Sequence, residues 1–333
     1  MKPNIPHAGP TERTRAALRT AALACALAFL TSGCASAPAP RPPASPLLEA
    51  ASGLFYLDPS KRERSQTDVL GSFVLLGALT DKYDRSGGCQ SPECKRDFAD
   101  ALRTLGLAYS RLGLHRLSLR YYEMALANDA DSAQSHADVA AEQLALGRDD
   151  AALESTAGAL QRASDDAEIE HQAANVYLLT DRPQDAVRHA EACLRLTARA
   201  RLAQYCATTL AVAKLRGGSD SLLLPLIEAK GWPGPLLLFV RGEIDEATLA
   251  RLTTLATDPA DRRERLSEAL YYAGEVAFAR NQPELALRYF RANQAMKVEG
   301  YWETMAARRR IVQLHGNSDE PEPEVPVNHV PLG

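Results

Sequence analysis

Small and large apolar residues recur along the middle of this 333-residue chain with a period of 34 residues. Two positions in each period hold a small residue, and they are occupied by Gly106, Ala140 and Ala174 and by Ser118, Ala152 and Ala186. Between them, large apolar residues are spaced three and four apart, which is the spacing of one face of an α-helix. The pattern predicts three tandem units of two helices each, over 99–132, 133–166 and 167–200.

Small residues at a fixed phase are expected where the two helices of a unit meet, because the two backbones must approach closely there. One such hairpin cannot bury its apolar face alone, so several must stack into a superhelix with a concave inner surface. The units resemble the tetratricopeptide repeat, and we expect an all-α fold of tetratricopeptide-repeat helical hairpins stacked as a superhelix. The alternative is a generic helical bundle, which needs apolar periodicity but no small residues at a fixed phase.

The repeat pattern weakens after the third unit and returns near the end of the chain. A degenerate fourth hairpin covers 201–230, and the Pro-rich run from Trp232 to Pro235 ends it. A short helix is predicted from Asp245 to Ala256. Gly274 and Ala286 then restore the two small positions. This return predicts paired helices near 262–280 and 283–296 and a last helix near 300–314.

The N-terminus has the features of an export signal. A positive region with three arginines between residues 13 and 19 precedes ten uncharged residues that end at Leu30. That run is too short to span a bilayer as a helix. The next four residues, Thr31-Ser32-Gly33-Cys34, resemble a bacterial lipobox, which implies a diacylglycerol on Cys34. The alternative is an ordinary secretory signal, for which Ala35-Ser36-Ala37 would serve as the cleavage site.

The lipobox also predicts a location. Several acyl chains on one cysteine give a stable membrane anchor. The residue after Cys34 is Ala35 and not Asp, which in the sorting rule of such lipoproteins implies transfer to the outer membrane. We therefore expect a lipid-anchored protein of the outer membrane that faces the periplasm.

Composition and pattern together divide the chain into seven predicted segments. Before the repeats, Ser65 to Tyr83 is predicted as one helix with an apolar face, which we expect to pack on the first repeat or on a partner chain. After the last helix, an acidic, Pro-rich stretch is predicted to be disordered. The segments are a signal peptide at 1–33, an Ala/Pro-rich tether at 34–48, an N-terminal helical segment at 49–98, tetratricopeptide repeats at 99–230, a non-repeat insert at 231–261, a C-terminal repeat with a final helix at 262–315, and a disordered tail at 316–333.

The six cysteines fit an oxidising compartment. One leaves with the signal peptide and Cys34 is lipidated, so four remain. Repeat phase puts Cys193 near the end of one helix and Cys206 early in the next, equally far from the turn that joins them, and we predict a disulfide between them. Cys89 and Cys94 are then left to form a local disulfide. The alternative for Cys193 and Cys206 is a pair of reduced thiols that act as small core residues.

Charge and motifs argue against several classes of function. The net charge is −4 and no basic stripe is present, which disfavours nucleic-acid binding. The sequence has no His-Glu-x-x-His, Gly-x-Ser-x-Gly or phosphate-loop motif, and the spacing of Cys89 and Cys94 is not that of a zinc or redox pair. We expect no catalysis, no cofactor and no metal.

Repeat phase also predicts which residues face the concave surface, where a partner protein would bind. A groove for a C-terminal carboxylate would need Lys or Arg with Asn at set positions, but Leu107, Ala137 and Ala141 are found there, so that kind of recognition is not indicated. For each residue predicted to bind a partner, the alternative is that it lies on a helix face that contacts only solvent. Trp232 and Trp302 are further candidates, although core positions suit them better. The predicted protein-binding residues are Arg103, Arg111, Gln134, Glu168, His171, Asn175, Tyr271, Glu275 and Phe278.

From Phe98 to Ile311 the chain resembles the NlpI-type outer-membrane lipoproteins. The resemblance is most specific in Gly231-Trp232, in the run from Leu238 to Leu249, and in the run from Leu266 to Gly274. It implies an adaptor that binds a periplasmic C-terminal-processing protease and peptidoglycan hydrolases and so regulates cell-wall turnover. It also implies a homodimer formed through N-terminal helices.

The competing class is an assembly or pilotin lipoprotein for a secretin, a pilus or an outer-membrane barrel. The non-repeat insert favours the adaptor, because an uninterrupted array of repeats would be expected of a pilotin. An enzyme is the third and least favoured class.

Overall fold

The computed structural model describes residues 45–53, 60–85, 89–219 and 227–315. In these residues the regular secondary structure is entirely α-helical, which confirms the all-α fold class. The helices are α1 (Pro46–Gly53), α2 (Ser60–Asp84), α3 (Pro92–Ser110), α4 (His115–Asn128), α5 (Ala133–Ala145), α6 (Asp149–Arg162), α7 (Ala167–Leu179), α8 (Pro183–Leu196), α9 (Ala200–Arg216), α10 (Gly234–Val240), α11 (Glu246–Thr253), α12 (Pro259–Ala279), α13 (Pro283–Ala295) and α14 (Trp302–His315).

Four pairs of consecutive helices pack closely as hairpins: α3 with α4, α5 with α6, α7 with α8, and α12 with α13. The small residues lie where the two helices of a pair touch. A β-carbon at Gly106 would stand 2.7 Å from Cε1 of Tyr122, too close for any larger residue. The Ser118 hydroxyl donates a hydrogen bond to the Gly106 carbonyl oxygen across the same seam, at 2.8 Å. The close approach inferred from the 34-residue period is therefore present in the first repeat.

The first repeat begins earlier than predicted. Helix α3 starts at Pro92, whereas the period placed the first unit at 99–132 and a loop before it. Ser91 caps the helix, because its side chain accepts a hydrogen bond from the Cys94 amide, and Pro92 occupies the first turn, where a missing N–H costs nothing. Because of these local signals, the helix begins before residue 99, where the 34-residue period placed the start of the first unit.

The predicted tether also needs correction at its end. Pro46–Gly53 forms helix α1, although residues up to 48 were assigned to an extended Ala/Pro-rich tether. The cause is tertiary packing: the side chain of Leu47 is fully buried, and its amide donates a hydrogen bond to Oε1 of Glu246 at 3.0 Å. The Ser45 hydroxyl donates to the same carboxylate. Helix α1 thereby packs on α11, α12 and α13 in the second half of the molecule.

The predicted insert contains two short helices. The run around Pro233 was predicted to break a helix, but α10 begins directly after it at Gly234, with Pro235 in its first turn. Helix α11 covers Glu246–Thr253 and is capped by Asp245, which accepts a hydrogen bond from the Thr248 amide at 2.8 Å. Both helices pack against α12, so the insert is part of the core.

The last helix determines what remains open on the inner surface. Helix α14 packs on α12 and α13 and also reaches α5 and α7 of the second and third repeats. It therefore lies over the first helices of several repeats. Within the described part of the chain, no helix is long and apolar enough to cross a membrane.

Candidate functional site

A cleft of about 260 Å³ opens on the face formed by the first helices of the three repeats, α3, α5 and α7. The segment at 299–305, which leads into α14, forms its other wall. Two large apolar side chains at its edge are exposed, Leu107 of α3 by 41% and Tyr301 of the opposite wall by 37%. The apolar lining residues are Leu107, Tyr122, Ala137, Ala141, Val176, Tyr301, Trp302 and Met305.

A chain of polar contacts fixes one end of the cleft. Nδ1 of His115 lies 2.8 Å from Oε2 of Glu142, and Nη1 of Arg308 lies 3.0 Å from Nε2 of the same ring. Because arginine can only donate, Nε2 of His115 accepts, and Nδ1–H donates to Glu142. Arg308 also contacts Glu299 at 3.3 Å. The His115 imidazole thus links the first and second repeats to the last helix.

Two of the predicted contact residues position a carboxylate in the cleft wall. Nε of Arg103 donates to Oδ2 of Asp138 at 2.9 Å, and the Gln134 amide donates to Oδ1 at 2.8 Å. Burial raises the pKa of Asp138, and the Arg103 guanidinium opposes that shift. Arg103 and Gln134 therefore orient Asp138, and Asp138 itself lines the cleft.

His171 and Asn175 form a polar floor, and both line the cleft as the repeat phase placed them. The Thr209 hydroxyl of α9 lies 3.2 Å from Nε2 of His171 and donates to Oδ1 of Asn175 at 3.1 Å. Burial lowers the pKa of His171 to about 4, so the ring is neutral near pH 7. The floor therefore offers hydrogen-bonding atoms without a formal charge.

Arg111 and Glu168 lie outside the lining. The main chain and side chain of Arg111 pack beside Gly300, whose φ of +77° lets the chain turn closely against α3. Glu168 is exposed and pairs with Arg199 at 2.7 Å. In this structure neither residue contributes to the cleft.

Tyr271 and Glu275 are buried, and their prediction as partner-contacting residues needs correction. Arg310 of α14 donates to both carboxylate oxygens of Glu275, at 2.6 and 3.2 Å, and to the Leu178 carbonyl oxygen at 3.1 Å. The side chains of Arg310 and Glu275 are exposed by only 1% and 0%. Repeat phase placed these residues on the inner surface, but α14 covers that part of it.

Phe278 is half-buried in the same region. The guanidinium carbons of Arg216 and Arg310 stand 3.8 and 5.2 Å from the centroid of its ring. Two guanidinium groups of the same chain therefore lie near the Phe278 ring, which stays partly exposed and is not among the residues that line the cleft.

Sequence reasoning missed Asp138, Glu142 and the wall at 299–305. Asp138 and Glu142 are one and five residues after Ala137, so their phase could have suggested them. The wall could not be found this way, because it depends on how the last helix returns to the first repeats.

The predicted cysteine pairs are adjacent in the structure. Cys193 and Cys206 form a disulfide that joins α8 to α9, with α-carbons 6.1 Å apart, and both are fully buried. Cys89 and Cys94 form a second disulfide, with α-carbons 5.5 Å apart. The predicted lipidation site, Cys34, and the predicted acidic tail lie outside the described residues. Over the residues that are described, no group of three or more His, Cys, Asp or Glu side chains could hold a metal ion.

No protein-family model matches the chain, and no curated protein sequence matches it significantly. Among solved structures, a tetratricopeptide repeat protein from Parabacteroides merdae is 16% identical, with a TM-score of 0.44 over 78% of this chain and 99% of that one. PilF of Pseudomonas aeruginosa is 16% identical, with a TM-score of 0.38 over 60% of this chain and 92% of its own. PilW, a type IV pilus biogenesis factor, is 19% identical, with a TM-score of 0.37 over 59% and 92%.

All three TM-scores are below 0.5, and these similarities do not bear on function. The helical hairpins of the chain itself, with Gly106 and Gly274 in close contact with the facing helix, match the tetratricopeptide-repeat fold that the 34-residue period predicts.

Proposed function

We propose that this protein is a protein-binding adaptor and that the cleft on its first three repeats receives a segment of a partner. The exposure of Leu107 and Tyr301 at the two edges of one cleft carries this proposal. Exposed apolar residues that converge on a concave surface mark binding sites, whereas single exposed ones need no explanation. The ionisable lining residues Glu142 and Glu299 are held by internal partners, an arrangement that suits recognition and positions no group for chemistry.

Filling the cleft tests the proposal. Ala141 lines it, and Ala141→Arg would place a long charged side chain inside. Ala157→Arg is the matched control, because Ala157 is an exposed residue on the second helix of the same repeat. Affinity purification of the tagged protein with mass spectrometry should recover partners with the wild type and the control and lose them with Ala141→Arg. Equal recovery by all three would place the binding surface elsewhere.

The finer proposal concerns the compartment and the partners, and the resemblance in the insert and final repeat supports it. The adaptor would be lipid-anchored at Cys34 in the outer membrane and would bind a C-terminal-processing protease and peptidoglycan hydrolases. Cys34→Ala should then release a soluble protein. A variant that still fractionates with membranes after a salt wash would refute the anchor.

Deletion of the protein should raise the level of at least one peptidoglycan endopeptidase, because the adaptor would promote its degradation. Immunoblots after protein synthesis is stopped measure the half-life. Unchanged hydrolase half-lives together with a pilus or secretin defect would favour the pilotin class instead.

The homodimer is proposed to form through helix α2. Its inner side contacts the first repeat, where the Phe73 ring meets Tyr109 and Tyr121 edge to face at 6.3 and 6.4 Å. Its outer side exposes Leu70 by 65% and Val74 by 66%. A second copy of α2 would cover these side chains. Sedimentation of a Leu70→Glu, Val74→Glu variant should report a monomer, and an unchanged dimer would reject this surface.

A further inference from the structure

The cleft has a charge pattern that goes beyond a general protein-binding surface. Apart from two histidines and two tyrosines, its ionisable lining residues are the carboxylates Asp138, Glu142 and Glu299. No Lys or Arg is among the described residues that line it. The arginines that contact these carboxylates approach from outside the lining.

These carboxylates retain the capacity to accept more hydrogen bonds. An ionised carboxylate offers roughly four lone-pair sites. Asp138 accepts one bond on each oxygen, from Arg103 and Gln134. Glu299 has a side chain that is 31% exposed and is held by Arg308 at 3.3 Å. Donors from a ligand can therefore reach both residues.

The described lining residues supply no cationic donor for a bound anion. Both ring nitrogens of His115 are committed to Glu142 and Arg308. His171 is neutral, because burial lowers its pKa to about 4. Three carboxylates line the cleft, whereas Arg103 and Arg308 contact two of them from outside the lining, so the lining favours an ammonium or guanidinium group over a carboxylate.

The size and lining of the cleft limit the apolar part of the ligand. Its volume of about 260 Å³ is below the roughly 300–1,000 Å³ of sites that enclose whole small molecules. It suits one large side chain, with the ligand backbone left at the rim. Trp302, Met305 and Val176 supply the apolar surface for that side chain.

We propose that the cleft binds an extended internal segment of a partner protein, which inserts one aromatic or long aliphatic side chain and sets an adjacent Lys or Arg beside Asp138 and Glu299. The inference rests on the proposed adaptor function and specifies the chemistry of the partner. It excludes a C-terminal carboxylate as the recognised group.

Selection from a phage-displayed library tests the inference directly. Random eight-residue segments, flanked on both sides so that no chain end is free, are selected on the full-length protein and on the Ala141→Arg variant. Wild-type protein should enrich segments with a large apolar residue next to Lys or Arg, and Ala141→Arg should not. Enrichment that is unaffected by Ala141→Arg would overturn the proposed cleft function as a whole.

Other outcomes separate the two proposals. Enrichment that depends on the cleft but favours acidic segments, or segments without a large apolar residue, would leave the adaptor intact and overturn this inference. No enrichment at all would also overturn it, since an internal segment would then not be sufficient for binding.

Substitutions in the carboxylates complete the test. An enriched peptide, with both ends blocked, should lose affinity for Glu299→Gln and Asp138→Asn by about tenfold each, as expected for a charge-assisted contact. Glu168→Gln is the control, because Glu168 is an exposed carboxylate outside the cleft. Glu299 is partly exposed, so its variant should keep the wild-type unfolding temperature. Unchanged peptide affinity in both variants would refute the proposed contact between a Lys or Arg of the ligand and these carboxylates. A higher affinity of the same peptide with a free C-terminal carboxylate would refute the proposal that the cleft binds an internal segment.

Discussion

Two regions of the inner surface of the superhelix occupy equivalent positions in the repeat but differ in their exposure to solvent. On the first three repeats, α5 and α7 leave a cleft whose edges expose Leu107 and Tyr301. On the last repeat, α12 is covered by α14, and Glu275 is fully buried against Arg310. Periodicity fixes which face of a helix points inward. Whether that face meets solvent depends on which other element returns to cover it.

The covered region should be the more sensitive to single substitutions. Glu275→Ala would leave Arg310 charged and buried without its counter-ion, and loss of one member of a buried pair costs about 3–5 kcal/mol. Urea unfolding should show a loss of that order. Glu299→Ala removes a partly exposed partner of Arg308 in the open region and should cost under about 1 kcal/mol. Equal losses of unfolding free energy in the two variants would contradict the proposed difference between the two regions.

A paired apolar replacement sharpens the same point. Glu275→Leu with Arg310→Met removes both charges together and should recover most of the lost stability, because neither member is left unpaired. Failure to recover would mean that the hydrogen bond from Arg310 to the Leu178 carbonyl oxygen matters more than the ion pair.

Two glutamates give the covered region a pH dependence. Glu268 accepts hydrogen bonds from Tyr205 at 2.9 Å and Trp232 at 3.1 Å, and burial together with the charge of Glu303 raises its pKa. Burial raises the pKa of Glu303 as well. The folded protein therefore keeps protons that the unfolded chain releases above pH 4.5.

The free energy of unfolding should accordingly fall as the pH rises above 4.5. The fall is up to about 1.4 kcal/mol per pH unit for each proton that the folded protein retains and the unfolded chain has lost. Unfolding free energies at pH 5, 6, 7 and 8 measure the slope. Glu268→Gln should flatten it, because the amide cannot ionise. An equal slope in that variant would assign the pH dependence to other groups, such as Asp138, whose pKa is also raised by burial.

The helix seams should behave alike in both regions. Gly106 faces Tyr122 in the first repeat, and Gly274 faces Phe290 in the last. Gly106→Ala and Gly274→Ala should each cost about 1–3 kcal/mol through overpacking. Gly71→Ala is the control, because no atom lies within 4 Å of its added β-carbon, and it should be neutral or stabilising. A large difference between the two seams in thermal unfolding would show that the repeats are not equivalent.

The smallest effect on stability is expected in the cleft itself. Leu107→Gln keeps a good helix former at an exposed position and should change the unfolding free energy by less than about 0.5 kcal/mol. Partner recovery should fall nonetheless. A large loss of stability would show that Leu107 belongs to the core and not to a binding surface.

The repeats could be predicted because their cause is local and periodic. Gly106 and Ser118 are small because two neighbouring helices touch there, and that requirement repeats every 34 residues. The burial of Tyr271 and Glu275 could not be predicted in the same way. It depends on how α14 packs on α12, and no spacing in the sequence places that helix there.

Local capping explains the errors at helix ends. Ser91 and Pro92 start α3 before the repeat phase does, although both residues are recognisable signals of a helix start. Helix α1 is a different case, because Leu47 and Ser45 are fixed by Glu246, about 200 residues away. Such a contact has no signature in the neighbouring sequence.

That long-range contact changes how the stack should come apart. Repeat arrays with only nearest-neighbour contacts can fray from either end, one unit at a time. Here the N-terminal α1 is attached to α12 and α13 near the C-terminal end, while α14 reaches back to α5 and α7. The N-terminal helix is thereby attached to the last repeat, and the last helix is attached to the second and third repeats. The first repeats and the last should consequently unfold together, and removing α1 should allow the last repeat to unfold separately.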